Sequence, residues 1–226
     1  LLFRDYVYVS STSPTFVAHF ETLAEELEDR FHFPADSLAV DIGSNDGILL
    51  RPLQRRLWRV LGIDPAIEIS LSASRDGIET TPEFFSEALA RRIRERRGMA
   101  SLISATSVFP HIHDLDDVVR GVSALLAPDG IFLIEAYYLA YMLRKNLFDT
   151  IYHEHLSYFT LRTLLRLFER LGMRVFDAEG TDTHGGSLRV FVEREDGPWS
   201  LESAKIARLL QEEDEAALRH SETYRR

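Results

Sequence analysis

The chain has 226 residues, 45% hydrophobic and 27% charged, which suits one large α/β domain with a sizeable core. No apolar run approaches the roughly 20 residues that span a bilayer. The formal net charge of −10 repels phosphate backbones, which argues against nucleic acid as a partner. There are no cysteines, so disulfides and thiolate metal sites are excluded and a reducing, cytoplasmic setting fits. The chain opens on Leu1 with no basic or signal-like stretch, which reads as a piece of a longer protein.

Residues 2–11 alternate aromatic and β-branched side chains and predict a short strand or an extended arm. Ser13-Pro14 starts a helix well, a hydroxyl cap followed by proline in the first turn. Phe16, Phe20, Leu23, Leu27 and Phe31 then recur at helical spacing. From residue 37 strands and helices alternate. Strands are predicted over 38–42, 59–64, near 78–80, and over 100–105 and 131–135. Helices are predicted over 48–56, 67–76, 84–97 and 115–126, with a turn at Pro128-Asp129-Gly130. The basic run 91–97 reads as the solvated face of its helix. After a helix over 161–171, two strands (173–178 and 187–193) follow with no helix between them. That pairing predicts an antiparallel hairpin closing a mostly parallel, seven-stranded, Rossmann-like sheet with helices on both faces. A charged helix follows Trp199. The expected organisation is an arm and helix over 1–36, a cofactor-binding domain over 37–195 and a helical linker over 196–226.

Ligands of open α/β sheets bind at the carboxyl ends of the strands. The turn Asp41-Ile42-Gly43-Ser44-Asn45-Asp46-Gly47 lies in such a place, with Gly43 allowing a sharp turn and helix N-terminal amides near Gly47 as candidate donors. Seventeen residues after Gly47 comes Asp64, placed to accept ribose hydroxyls. The G-x-G-x-x-G of a nicotinamide site is absent. The loop suits S-adenosylmethionine, which needs no pyrophosphate cradle, and Asp41, Gly43, Asn45, Gly47 and Asp64 are its expected contacts.

The densest polar segment runs from Asp149 to Phe159 and contains Tyr152-His153-Glu154-His155. It could simply cap the helix that follows, and His153 with His155 could share a metal ion, although no third ligand is evident and no metal is expected. The sharper reading is acid/base chemistry, for which histidine is suited near neutral pH. His111, after the fourth strand, is a second candidate.

With these segments the chain resembles the sugar C-methyltransferases that act on nucleotide-linked keto-deoxysugars. The similarity covers the segment from Tyr6 to Ser13, the glycine loop, Gly62-Ile63-Asp64-Pro65, the stretch from Phe148 to Phe159 and His184-Gly185-Gly186-Ser187-Leu188-Arg189-Val190. The resemblance implies that His155 removes a proton beside a ketone and that the resulting enolate attacks the sulfonium methyl. It implies that Glu154, Tyr152 and His111 assist, and that Tyr6, Tyr8 and His184 meet the nucleotide sugar. Thr106 and Ser107 stand where the family carries paired asparagines beside the cofactor. The family also has a cysteine-bearing zinc module ahead of the Tyr-x-Tyr segment and a further C-terminal domain. Neither is in this stretch, so the substrate site is expected to be incomplete.

Overall fold

The computed structural model describes residues 2–225, apart from the side chains of Leu2, Asp5 and His184. Helix α1 (Pro14–Phe31) starts where the Ser13 hydroxyl accepts the Phe16 amide. The alternation that follows is β1 (Leu38–Ile42), α2 (Leu50–Arg55), β2 (Arg59–Ile63), α3 (Ile67–Arg75), β3 (Thr80–Thr81), α4 (Glu87–Arg97), β4 (Ala100–Thr106), α5 (Leu115–Leu125) and β5 (Leu126–Tyr137). Then come α6 (Leu139–Lys145), α7 (Leu161–Arg170), β6 (Met173–Thr181), β7 (Ser187–Arg194) and α8 (Ser203–Glu215).

The strands form one sheet in the order β3-β2-β1-β4-β5-β7-β6. Pairing is parallel from β3 to β5, and β7 lies antiparallel to both β5 and β6. The expected architecture is therefore present, closing hairpin included. Alternation of side chains across each strand makes the two layers. Val40, Ile103, Phe132 and Ile134 face α4 and α5, where Leu89, Ile93, Val119 and Val122 meet them. Their neighbours Ala39, Leu102, Ile131 and Leu133 face α1 and α2, against Phe20, Leu23, Leu27 and Leu53.

Several local readings are refined. Of the short strand and the extended arm expected over residues 2–11, the structure shows an arm, in which two short 3-10 turns, Leu2–Asp5 and Ser10–Thr12, flank an extended piece. Helix α2 begins at Leu50, because Gly47 and its neighbours are held in a turn that begins with Gly47 N–H donating to the Ser44 carbonyl (2.9 Å). Pro128-Asp129-Gly130 does not precede β5 but lies inside it. Ala100 pairs with Leu126 and Leu102 with Ile131, so the turn-forming residues are absorbed as a wide bulge. Helix α6, right after β5, was not anticipated.

The segment after β7 packs back on the sheet. Trp199 sits among Phe31, Phe33 and Phe176, with ring centroids 4.8, 6.0 and 6.2 Å away, and Ile206, Leu209 and Leu218 join the core. Helix α8 ends at Glu215 and a final 3-10 turn spans Ser221–Arg225. Buried Glu213 locks α8 down. It accepts the Tyr138 hydroxyl (3.0 Å) and the amides of Leu161 and Arg162. Glu213→Ala strands these donors, and an unmet buried donor costs about 1–3 kcal/mol. Denaturant unfolding should therefore show a loss of roughly 3 kcal/mol, with Glu213→Gln, which keeps an acceptor, losing less.

Candidate active site

A cavity of about 610 Å³ opens at the carboxyl ends of β1, β2, β4 and β5, roofed by the arm and the start of α1. At one end is the glycine loop. Gly43 has φ +71, and a Cβ there would fall 2.7 Å from a Val108 methyl, so only glycine fits this turn. Asn45 is also left-handed (φ 50), which asparagine tolerates. Its amide N–H donates to Asp64 (2.9 Å), and the Ala66 N–H donates to the other oxygen of that carboxylate (2.8 Å). The Asn45 side chain turns to the arm, accepting the Ser10 amide (2.9 Å) and donating to the Tyr8 carbonyl (2.8 Å).

The loop offers no cradle of free amides. Gly43 and Ser44 donate to the Ile63 carbonyl, Asn45 to Asp64, Asp46 to the Asn45 side chain and Gly47 to Ser44. With α2 starting only at Leu50, the expected helix-terminal donors near Gly47 are replaced by side chains. Asp41, Asn45, Asp64, Thr106 and Ser107 line the cavity, as does Gly43, whereas Gly47 stands behind the loop. The cavity wall carries Asp41, Asp64, Asp114, Asp117, Glu135 and Glu154 and, among the described residues, no Lys or Arg. The Ser44 hydroxyl is buried there without a partner. At the loop end this donor set gives a cofactor pyrophosphate no cradle and fits a cationic, hydroxyl-bearing ligand.

Asp41 is fully buried. Burial pushes its carboxyl up to about 7 despite the hydrogen bond from Ser104 Oγ (2.6 Å), and nearby Asp64 adds to the rise. Burial also raises Asp64, against the two amides that hold its charged form.

At the other end, His155 is buried and its Nδ1 lies 2.6 Å from the Thr150 carbonyl. A carbonyl only accepts, so Nδ1 carries the proton and Nε2 keeps a lone pair. His111 is set the same way, its Nδ1 2.8 Å from the Glu154 carbonyl. The two imidazoles are 4.9 Å apart, with Tyr152 at 4.3 Å and Tyr137 at 5.0 Å from His155. Burial holds His155 below the usual histidine range, and His111 adds to this. Burial raises Tyr6, Tyr137 and Tyr152, with the Glu154 charge adding to Tyr6 and Tyr152. The amides of Leu156 and Ser157 both donate to the Pro110 carbonyl, which ties the two histidine segments together.

Tyr6 and Tyr8 are half-exposed at the cavity wall with Glu154 and Tyr152. The side chain of His184 lies outside the described residues. Among the described residues no group of three His, Asp or Glu is placed to hold a metal ion. Three wall residues escaped the sequence reading. Phe3 lies 5.0 Å from the His111 ring and 5.9 Å from Tyr6. Glu135 closes the strand expected over 131–135 and carried no signal of its own, while Tyr137 lies beyond that strand's expected end. Glu135 pairs with His19 of α1 and Arg189 of β7, each at 2.9 Å.

The sheet order, the acid at the end of β2 and the acidic cavity define a Rossmann-like methyltransferase of class I. The profile described as "Methyltransferase domain" matches residues 17–178, and "C-methyltransferase C-terminal domain" matches residues 182–226. The chain therefore belongs to the methyltransferase-domain family, an S-adenosylmethionine-dependent class. It is 39% identical over 225 residues to C-methyltransferase NovU of Streptomyces niveus, a match covering 100% of this chain and 53% of NovU. It is 24% identical over 157 residues to the ubiquinone biosynthesis O-methyltransferase of Colwellia psychrerythraea, covering 64% of each. The chain thus spans about half to two thirds of the length of these relatives. The PH0226 protein of Pyrococcus horikoshii superposes with a TM-score of 0.63 at 16% identity, over 83% of this chain and 94% of that one. Magnesium protoporphyrin IX methyltransferase of Synechocystis, solved with bound S-adenosylhomocysteine, gives 0.59 at 14% identity, over 79% and 83%. These two share the fold.

Because Asp41 is raised from 3.8 to about 7, the folded state binds its proton more tightly than the unfolded chain between those values. Its contribution to stability is complete below about pH 4 and is lost as pH rises through about 7. Asp41→Asn keeps an acceptor for Ser104 and removes that slope. Unfolding at pH 5 and pH 8 should show the variant gaining on the parent at the higher pH, by roughly a few kcal/mol. Parallel behaviour of the two proteins would place the titration elsewhere.

Proposed function

We propose that this chain serves methyl transfer from S-adenosylmethionine to a carbon beside the ketone of a nucleotide-linked deoxysugar. The observation that carries the reading is His155, buried among three aromatic rings with its tautomer fixed by the Thr150 carbonyl. Transfer to oxygen needs only a hydroxyl to lose its proton. Transfer to carbon needs a base aimed at a C–H bond and already free of its own proton at neutral pH. Burial that depresses the imidazole, leaving Nε2 unprotonated, supplies that state.

When bound, S-adenosylmethionine supplies an electrophilic methyl group on a sulfonium. The chain's residues do the rest. His155 Nε2 takes the proton from carbon, and the electrons of that C–H bond pass to the ketone oxygen as an enolate. His111, its Nδ1 likewise pinned, and Tyr152 stand within the same cluster to steady that oxygen, while Glu154 orients the sugar. Asp64 takes the ribose hydroxyls, with Asp41, Gly43, Asn45, Thr106 and Ser107 forming the remaining cofactor wall and Gly47 shaping the turn behind it. Tyr6 and Tyr8 are uncharged donors for the phosphate side of the acceptor, and His184 joins them by its place in the motif. The identity to NovU supports a carbon acceptor.

In deuterium oxide, with S-adenosylhomocysteine bound, the protein should exchange deuterium into the carbon next to the ketone of a nucleotide-linked keto-deoxysugar. Exchange is followed by NMR. His155→Ala should slow it by roughly 10²–10⁴-fold, the range for a positioned acid/base group. Exchange at the parental rate in that variant would remove His155 from the reaction, and methyl transfer without any exchange would point to an oxygen acceptor.

A further inference from the structure

Glu135 is the least expected group on the cavity wall. It sits near the end of β5, beside Thr106 in register, and its side chain is 3% exposed. Burial pushes its carboxyl upward, but His19 and the Arg189 guanidinium more than offset this and hold it at about 2. It is therefore a fixed negative charge. Among the described residues each oxygen has one partner, Oε1 the His19 Nε2 and Oε2 the Arg189 Nε. A carboxylate has about four acceptor sites, so two remain.

The local charge is also unbalanced. Arg189 is shared among Glu26, Glu135 and Glu179, at 3.0, 2.9 and 3.0 Å. One guanidinium thus faces three carboxylates beside a cavity with no Lys or Arg on its wall among the described residues. Two of the other wall acids already serve the loop and the sheet. Both oxygens of Asp64 hold backbone amides at the end of β2, and Asp41 is bonded by Ser104.

We propose that Glu135 binds the α-ammonium group of the methionine end of the cofactor, a role that rests on the S-adenosylmethionine reading of the cavity. The adenosine end then lies towards Asp64, and the amino-acid end lies between the loop, α1 and β5. His19 and Arg189 act as positioning residues that keep the Glu135 carboxylate ionised and aimed.

The test is calorimetric titration with two ligands, S-adenosylhomocysteine and 5′-methylthioadenosine, which shares the nucleoside but lacks the amino-acid end. The parent should bind both. Glu135→Gln should weaken S-adenosylhomocysteine by about 10- to 100-fold, the worth of one charge-assisted hydrogen bond, and leave methylthioadenosine unchanged. Glu135→Asp, which keeps the charge but draws it back by one methylene, should show the same selectivity in smaller measure. An equal fall for both ligands would make Glu135 mere support for α1 and overturn the proposal, as would an unchanged affinity for both. A parent that binds neither ligand would instead sink the cofactor reading on which the proposal stands.

Discussion

Asn45 ties the glycine loop, the end of β2 and the arm together at the cavity. Its own amide is fixed to Asp64 at the end of β2, while its side chain grips the arm at Tyr8 and Ser10. The left-handed backbone at Asn45 makes this possible, since it turns the amide towards β2 and the side chain towards the arm. Gly43, pressed against Val108, brings the loop close to the end of β4. Once the arm is drawn over the strand ends, Phe3 reaches His111 and Tyr6 joins the cavity wall. One side-chain amide thus couples the cofactor end of the cavity to its reacting end.

Charge and tautomer then decide what the enclosed space can do. At the loop end the wall is acidic and the loop amides are all used internally, which disfavours a cofactor phosphate and welcomes a sulfonium and an ammonium. Buried His155 and half-buried His111 each have their tautomer fixed by a backbone carbonyl. Burial both depresses His155 and walls it with aromatic rings, which favours the neutral imidazole there.

The sheet was legible in the sequence because short, mostly apolar runs such as Leu38–Ile42 and the helical stripe of α1 are local signals. The closing hairpin was legible from two strands with no helix between them. The β5 bulge was not, because Pro128-Asp129-Gly130 is ordinary turn chemistry and only pairing with β4 reveals that the strand starts before it. Helix α6 is short, seven residues, with too few turns to show a period. The site divides the same way. Asp41, Asp64, His111 and His155 announce themselves by motif or by residue type, and the structure brings them to one cavity. Phe3, Tyr137 and Glu135 do not. An aromatic residue in an arm or an acid in a strand has no signature until the strand register and the ion pairs across α1 and β7 give it neighbours.

Hydrogen–deuterium exchange with and without S-adenosylhomocysteine tests the coupling at the centre of this picture. Amide protection should rise together in residues 41–47, around Asp64 and in residues 6–12 of the arm. Protection of the loop with the arm unchanged would break the link assigned to Asn45, and no change in either segment would remove the cofactor from this cavity.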